Sequence, residues 1–407
     1  MAIDKDYLEA YELYMRGLDY SYEAGIEKNM IAARRTFEQA VELDPTFALA
    51  YAGLSEAARN HYWMGGGAEE AEQAAFAAAQ RALTLAPDLP EAHMALGNYY
   101  YVHREYERAF GELRVAEQGL PSNAKLIRSK AYIMRRRGNW DESLKELMRA
   151  RSLDPRDFQS ALQVALTYAC KRRYADARTY VERALALAPE SPFGQCLLAL
   201  TPVLRDGSAE AARAALPAIE SIAADPWKDY FNWLILIYNR DYERAHEFTT
   251  LRERFKNQWH DYPASLLRGW TYRLQDRPDD AQREFRAALT VLEADVLVHP
   301  EDARLRSALG LAYAGLGQKS DALEAGRRAA ELLPMDKDAF VGAWVLHDLG
   351  WNYTMIGEID SAVETFDRVL SVPSFSSIES LQLDPRIEPL RNSERFRELV
   401  ARHRRAD

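Results

Sequence analysis

Four prolines, Pro87, Pro121, Pro155 and Pro189, stand 34 residues apart, and they close phrases such as LTLAPD, RSLDPR and LALAPE. Proline lacks a backbone N–H and disfavours helical geometry in the residue before it, so each one ends a helix. A fixed period of this length belongs to chains built from stacked helical copies, each burying its apolar face against the next. The phrases HREYERAF at 103–110 and NRDYERAH at 239–246 begin 136 residues apart, which is four such periods. Stacking also answers the problem of size, because 407 residues exceed what one ordinary core encloses.

With proline set at repeat position 32, other residues align. Position 20 holds Ala75, Ala109, Ser143, Ala177, Ala211 and Ala245 in one unbroken register, and position 27 holds Ala82, Ala116, Ala150 and Ala184. Position 17 is aromatic at Tyr106, Trp140, Tyr174 and Tyr242. Small residues let two helices approach closely, and the aromatic plugs the corner between them. A stripe at positions 4, 7, 8 and 11, such as His93, Leu96, Gly97 and Tyr100, or Arg306, Leu309, Gly310 and Tyr313, is one face of a helix.

The pattern L-G-x-x-Y…A…A…P resembles the tetratricopeptide repeat (TPR), a helix–turn–helix unit, over nearly the whole chain. The resemblance implies an all-α, right-handed superhelical solenoid of about ten repeats with a C-terminal capping helix, and no sheet. Two enlarged hairpins open it, with extra residues at SYEAGIEKN and HYWMGGGAEE. Regular copies begin near Pro90, Ala124 and Phe158, a degenerate one near Pro192 and a divergent one at Pro226. The expected organisation is an N-terminal half at 1–189, a degenerate repeat at 190–226, a C-terminal half at 227–373 and a tail at 374–407. Pro202 and Pro217 would kink the degenerate copy, making it either a joint between halves or an irregular repeat with no role in motion. The tail should end in a helix of roughly ten residues capped by Ser393, covering the last hairpin.

The opening phrase EAYELYMRG and the closing phrase LDPRIEPLRNSERFRELV are similar to the ends of the repeat region in bacterial signalling proteins. In those proteins the repeats accompany adenylate cyclase, kinase or winged-helix domains. The chain is therefore either a stand-alone relative or the repeat region of something longer.

Catalytic and metal chemistry find little support. The eight histidines include no H-x-x-x-H pair, and no phosphate-binding G-x-x-x-x-G-K or G-x-S-x-G elbow occurs. The triple glycine at 65–67 reads as a flexible turn. Asp276, Asp279 and Asp280 sit at a hairpin bend, where Asp caps the second helix and stays solvated. Cys170 and Cys196 read as buried thiols, Tyr7, Tyr11 and Tyr14 as hairpin core rather than a base-stacking platform, and YFNWLILIY at 230–238 as a buried helix. No enzyme activity, cofactor or metal is expected. Acids in place of a basic start, with no long apolar run, fit a cytoplasmic protein. The net charge of −10 argues against nucleic acid as the general ligand.

One stretch stands out. SNAKLIRSKAYIMRRRGNW, residues 122–140, carries six basic residues and no acid. Positions 2, 5, 9 and 12 of a first helix share a face rotated away from the packing stripe. That face is Lys125, Arg128, Tyr132 and Arg135 in this copy, with Asn98 and Tyr101 on the preceding one. The TPR resemblance implies that it lines a concave groove where extended peptides lie. Chaperone-binding members clamp a C-terminal carboxylate there, but only Asn98 matches their pattern; Met94 and Ser129 depart from it. The expectation is a non-catalytic scaffold that binds an acidic or carboxylate-bearing protein segment at Asn98, Tyr101, Lys125, Arg128, Tyr132 and Arg135. Self-association stays open.

Overall fold

The computed structural model describes residues 5–22, 27–63, 69–222 and 226–404. The triple glycine at 65–67, expected as a flexible turn, and residues 23–26 of the first enlarged hairpin lie outside the described residues. Helices follow one another in pairs: α1 (Lys5–Tyr22) with α2 (Glu27–Leu43), α3 (Ala48–Trp63) with α4 (Glu69–Leu85), and α5 (Pro90–Val102) with α6 (Tyr106–Gly119). Next come α7 (Ala124–Arg136) and α8 (Trp140–Leu153), α9 (Phe158–Cys170) and α10 (Tyr174–Leu187), and α11 (Pro192–Asp206) and α12 (Ala209–Glu220). The sequence continues with α13 (Pro226–Tyr238) and α14 (Tyr242–Thr250), α15 (Ala264–Leu274) and α16 (Pro278–Val298), α17 (Ala303–Gly315) and α18 (Lys319–Leu332), and α19 (Val341–Ile356) and α20 (Ile359–Leu370). The tail adds α21 (Ile378–Leu383), a 3-10 turn at Pro385–Leu390, and α22 (Glu394–His403). The chain is all-α apart from short pieces, built of consecutive helix pairs, and the copies begin where the proline register places them.

The hairpin turns repeat as faithfully as the helices. Arg104, Gly138, Arg172 and Arg240 all take positive φ and are separated by 34 residues or a multiple of it. A left-handed residue is what lets the chain leave one helix and turn back into the next. Tyr106, Trp140, Tyr174 and Tyr242 are each the first residue of a second helix, so the corner role expected of them is met. Close helix approach relies on glycine where an aromatic presses in: a Cβ on Gly17 or Gly53 would sit 2.7 or 2.5 Å from the Phe37 ring, which lies between them.

Contacts divide the chain into two compact units, one of residues 1–135 with 141–160 and the other of 136–140 with 161–407. The boundaries expected at 189/190 and 226/227 fall within the second unit. There Pro202 and Pro217 lie inside α11 and α12 without ending them. The register does slip at this copy. α11 is 15 residues long where α9 has 13, and Ala212, fully buried, takes the place expected for the half-buried Ala211.

Three further expectations are corrected. A short antiparallel ribbon, β1 (Arg254–Lys256) and β2 (Asp261–Pro263), interrupts the helices. α14 stops after 9 residues, and the Asn257 side chain then accepts from the Trp259 and His260 amides to form the ribbon's turn. Tyr7 and Tyr11 are not core: they are 44% and 43% exposed. The QDRPDDA acids are solvated but none caps α16, which starts from Arg277 with proline in its first turn. Asp276 is the left-handed turn residue and Asp280 pairs with Arg277 and Arg283. Cys170 and Cys196 are buried, and the 230–238 run is buried throughout.

The final helix is as expected, 10 residues long with the Ser393 hydroxyl accepting from the Phe396 amide. Its basic end, Arg402 and His403, reaches Asp367 on α20. The residues before it do more than cap. Ser377 donates to the Leu204 carbonyl at 2.6 Å and Ser374 N–H donates to the Cys170 carbonyl at 2.9 Å. Arg386 is buried, ion-paired with Asp384, and its guanidinium stands 4.5 Å from the Trp351 ring and 5.4 Å from those of Trp233 and Trp270. Trp259, at the ribbon turn, stacks on Trp344 at 5.5 Å and on Phe375 at 6.0 Å. The faces of α13, α15 and α19 that a groove would leave open are thus covered by the ribbon and the tail.

Candidate functional site

The six residues singled out from the sequence all belong to the first unit, on α5 and α7. Rings join the two helices: Tyr101 and Tyr132 are 5.9 Å apart. The Arg135 guanidinium lies 5.6 Å from the Tyr132 ring centroid and is only 3% exposed, so it supports that ring from below rather than facing solvent. Asn98 is also buried, and its amide donates to Glu56 at 2.8 Å.

The basic run is free of acids in sequence but not in space. Arg128 forms an ion pair with Asp157, which also accepts from the Ser160 hydroxyl at 2.6 Å. Lys130 pairs with Glu117 at 2.7 Å. Arg136 belongs to the second unit, where it pairs with Asp338 and stacks over Phe340. Two carboxylates that the sequence reading passed over, Glu56 and Asp157, therefore stand within the candidate site. Asp157 had a legible signal, since it precedes a first helix and caps it through the Gln159 amide.

Lys125 carries the electrostatic interest. Burial is the main force pushing its ammonium below the usual lysine range, and the neighbouring Arg128 charge adds to it; Glu56, Asp157 and Asp154 pull the other way. Burial also pushes the Tyr132 hydroxyl up to about 12, against the pull of Arg128 and Arg135, so it stays a neutral donor. A partly dehydrated ammonium beside a guanidinium gains from an incoming carboxylate. No group here is placed as a nucleophile or general base.

The second unit offers a different interior. A cavity of about 40 Å³ lies among Tyr230, Trp344, His347, Phe375, Asp384 and Arg386, room for water rather than for a substrate. Asp348 accepts from the Tyr262 and Ser307 hydroxyls, both at 2.6 Å, and burial raises its carboxyl to about 6. Burial lowers His260 and His347 to about 3. Among the described residues no cluster of His, Cys, Asp and Glu is arranged to hold a metal ion, and no helix is long and apolar enough to cross a membrane.

The family model described as "Tetratricopeptide repeat" matches residues 130–192 and 266–336. Solved structures similar to the chain include the human IFIT1 dimer with PPP-AAAA, at 18% identity and a TM-score of 0.44, covering 76% of this chain and 70% of that one. A structure from the functional characterisation of Pseudomonas aeruginosa pilF is 17% identical with a TM-score of 0.38, covering 53% of this chain and 91% of that one. A thermophilic TPR protein of Thermus thermophilus is 20% identical with a TM-score of 0.40, covering 48% of this chain and 100% of its own. No protein of curated function matches the sequence. TPR repeats are thus present, and none of these likenesses bears on what the chain binds.

Proposed function

We propose that the chain is a non-catalytic protein-interaction scaffold whose first unit binds a carboxylate-bearing segment across α5 and α7. The observation that carries this reading is the environment of Lys125: a lysine held below its usual range by burial and by Arg128, which itself stands near the Tyr132 hydroxyl and is ion-paired with Asp157. An arriving carboxylate relieves the unfavourable proximity of the two cations, and Asp157 and Glu56 limit how much charge the site takes. Asn98 and Arg135 act in this reading as supports, holding Glu56 and the Tyr132 ring, while Tyr101 and Tyr132 present the contact surface.

The test is binding of synthetic acidic peptides, read by calorimetry against Lys125→Gln and Lys125→Glu. Both variants should keep the helical signal, and affinity should fall in that order, with the salt dependence falling too. Unchanged binding in Lys125→Glu would overturn the site. Reversing Arg128 or Arg135 is a poor probe, because each would bury an unpaired acid.

A second reading, a regulatory TPR region of a bacterial signal-transduction protein, rests on the closing phrase LDPRIEPLRNSERFRELV. Its Arg386, Ile387, Leu390, Phe396 and Leu399 are buried, so packing demands these residues whatever the chain regulates. Co-purification with a cyclase, kinase or DNA-binding partner would favour it.

A further inference from the structure

α1 presents Tyr7, Tyr11 and Tyr14 at i, i+4 and i+7, one face of the helix. Phe47, only 7% exposed, is the floor beneath them, with ring centroids at 5.8, 6.3 and 5.3 Å. Tyr7 and Tyr11 stack at 6.5 Å with 26° between planes. The result is a shelf of aromatic faces, with the two outer tyrosines 44% and 43% exposed. Helices α1 and α5 both pack against α3, and α5 brings Glu91 in its first turn. Its charge is felt at Tyr14, where it adds to burial in holding the hydroxyl at about 12. Further along α5 come Asn98 and Tyr101, and then the Lys125 and Arg128 site on α7.

We infer that this tyrosine shelf with Glu91 is a cation subsite, taking a lysine or arginine side chain of the same partner segment whose carboxylate reaches Lys125 and Arg128. Exposed ring faces carry negative electrostatic potential, and a carboxylate beside them adds to it, so a cation is attracted and a phosphate is repelled. Asp6, Glu9 and Glu12 on the same exposed turns outnumber Lys5 and Arg16 and add to the bias against a nucleic-acid backbone. Together the two subsites give the groove of the first unit a negative end and a positive end. A segment carrying both charges is held in one direction only. The inference rests on the groove reading above and adds to it the sign of the second contact.

The test uses the full chain and synthetic peptides that carry one arginine and one glutamate at every separation in a Gly-Ser-Ala background. Each has a partner peptide with citrulline, a neutral isostere, in place of arginine. For the best binders, citrulline should weaken binding roughly three- to thirtyfold, the range of a cation over aromatic faces. Tyr7→Ala/Tyr11→Ala should erase that difference, and Tyr7→Phe/Tyr11→Phe should retain it. If glutamate and Lys125 still govern binding while citrulline costs nothing, the shelf is overturned and the groove reading stands. If no peptide depends on Lys125, the groove reading falls and the inference falls with it. If the tyrosines instead retain a single-stranded oligonucleotide, the cation assignment is overturned in favour of base stacking.

Discussion

The two units are made of the same repeat and treat their first-helix faces in opposite ways. In the first, those faces carry Tyr11, Glu91, Tyr101, Lys125 and Tyr132, side chains that are exposed or only half buried. In the second, the corresponding faces carry Trp233, Trp270 and Trp351, and the chain's own tail lies on them through Arg386. A concave apolar face left open would cost solubility, so the second unit covers its own face, whereas the polar face of the first needs no such cover. The same repeat thus yields two kinds of first-helix face, and what lines the face decides whether it is covered or left open to solvent.

The largest break in this comparison is removal of the tail. A chain ending at residue 373 loses Phe375, Ile378, Leu381, Ile387, Leu390 and Phe396 from the second unit, all buried. All tryptophans except Trp63 belong to that unit, so fluorescence reports on it selectively. We expect its cooperative transition to vanish and the protein to aggregate. A truncated chain with native fluorescence and a monodisperse profile would reduce the tail to an ornament.

Next in size are point changes at the tail's seat. Gly207 takes φ of +55°, and a Cβ there would overlap the Glu379 carbonyl. Gly207→Ala should destabilise the second unit by about 2–4 kcal/mol, combining left-handed strain with overlap. Arg386→Met leaves Asp384 buried without its ion pair and should cost about 3–5 kcal/mol, with Arg386→Met/Asp384→Asn costing less. Urea titrations followed by tryptophan emission measure both.

Acid should also separate the units. His260 and His347 stay neutral in the folded second unit down to about 3, while unfolded histidine takes its proton near 6.5. Each therefore contributes stability that is present above 6.5 and lost as pH falls, by up to about 1.4 kcal/mol per pH unit. Asp348 opposes them below about 6, since its folded carboxyl holds a proton that the unfolded one releases. Two histidines outweigh one aspartate, so the melting temperature read by tryptophan emission should fall between pH 6.5 and 4.5. His347→Gln should flatten that fall.

The smallest effect concerns the turns common to both units. Arg104 and Arg240 hold φ near +60° without the freedom of glycine, which Gly138 has at the equivalent place. Arg104→Gly and Arg240→Gly should each stabilise their own unit by up to about 1 kcal/mol. A loss instead would mean that the arginine side chains hold the turns.

The sequence by itself determined what repeats at short range: that Pro90, Ala124, Phe158, Pro192, Pro226 and Ala303 begin first helices, that Tyr106, Trp140, Tyr174 and Tyr242 begin second helices, and that Ser393 caps the last one. Each follows from local backbone preferences and a helical period, which neighbouring residues fix among themselves. The same period misled at Ala211, because one added residue in the sixth copy shifts a register without leaving a composition signal. Only the tertiary structure decided the charges and covers. Lys125 and Arg128 look uncompensated until Glu56 and Asp157, far away along the chain, are brought beside them, and Tyr11 looks like core until the packing of the hairpins leaves it 43% exposed. Nothing local marks Arg386 as buried, yet three tryptophans from separate helices close around it. Burial and charge pairing depend on which segments meet in space, and no local pattern encodes that.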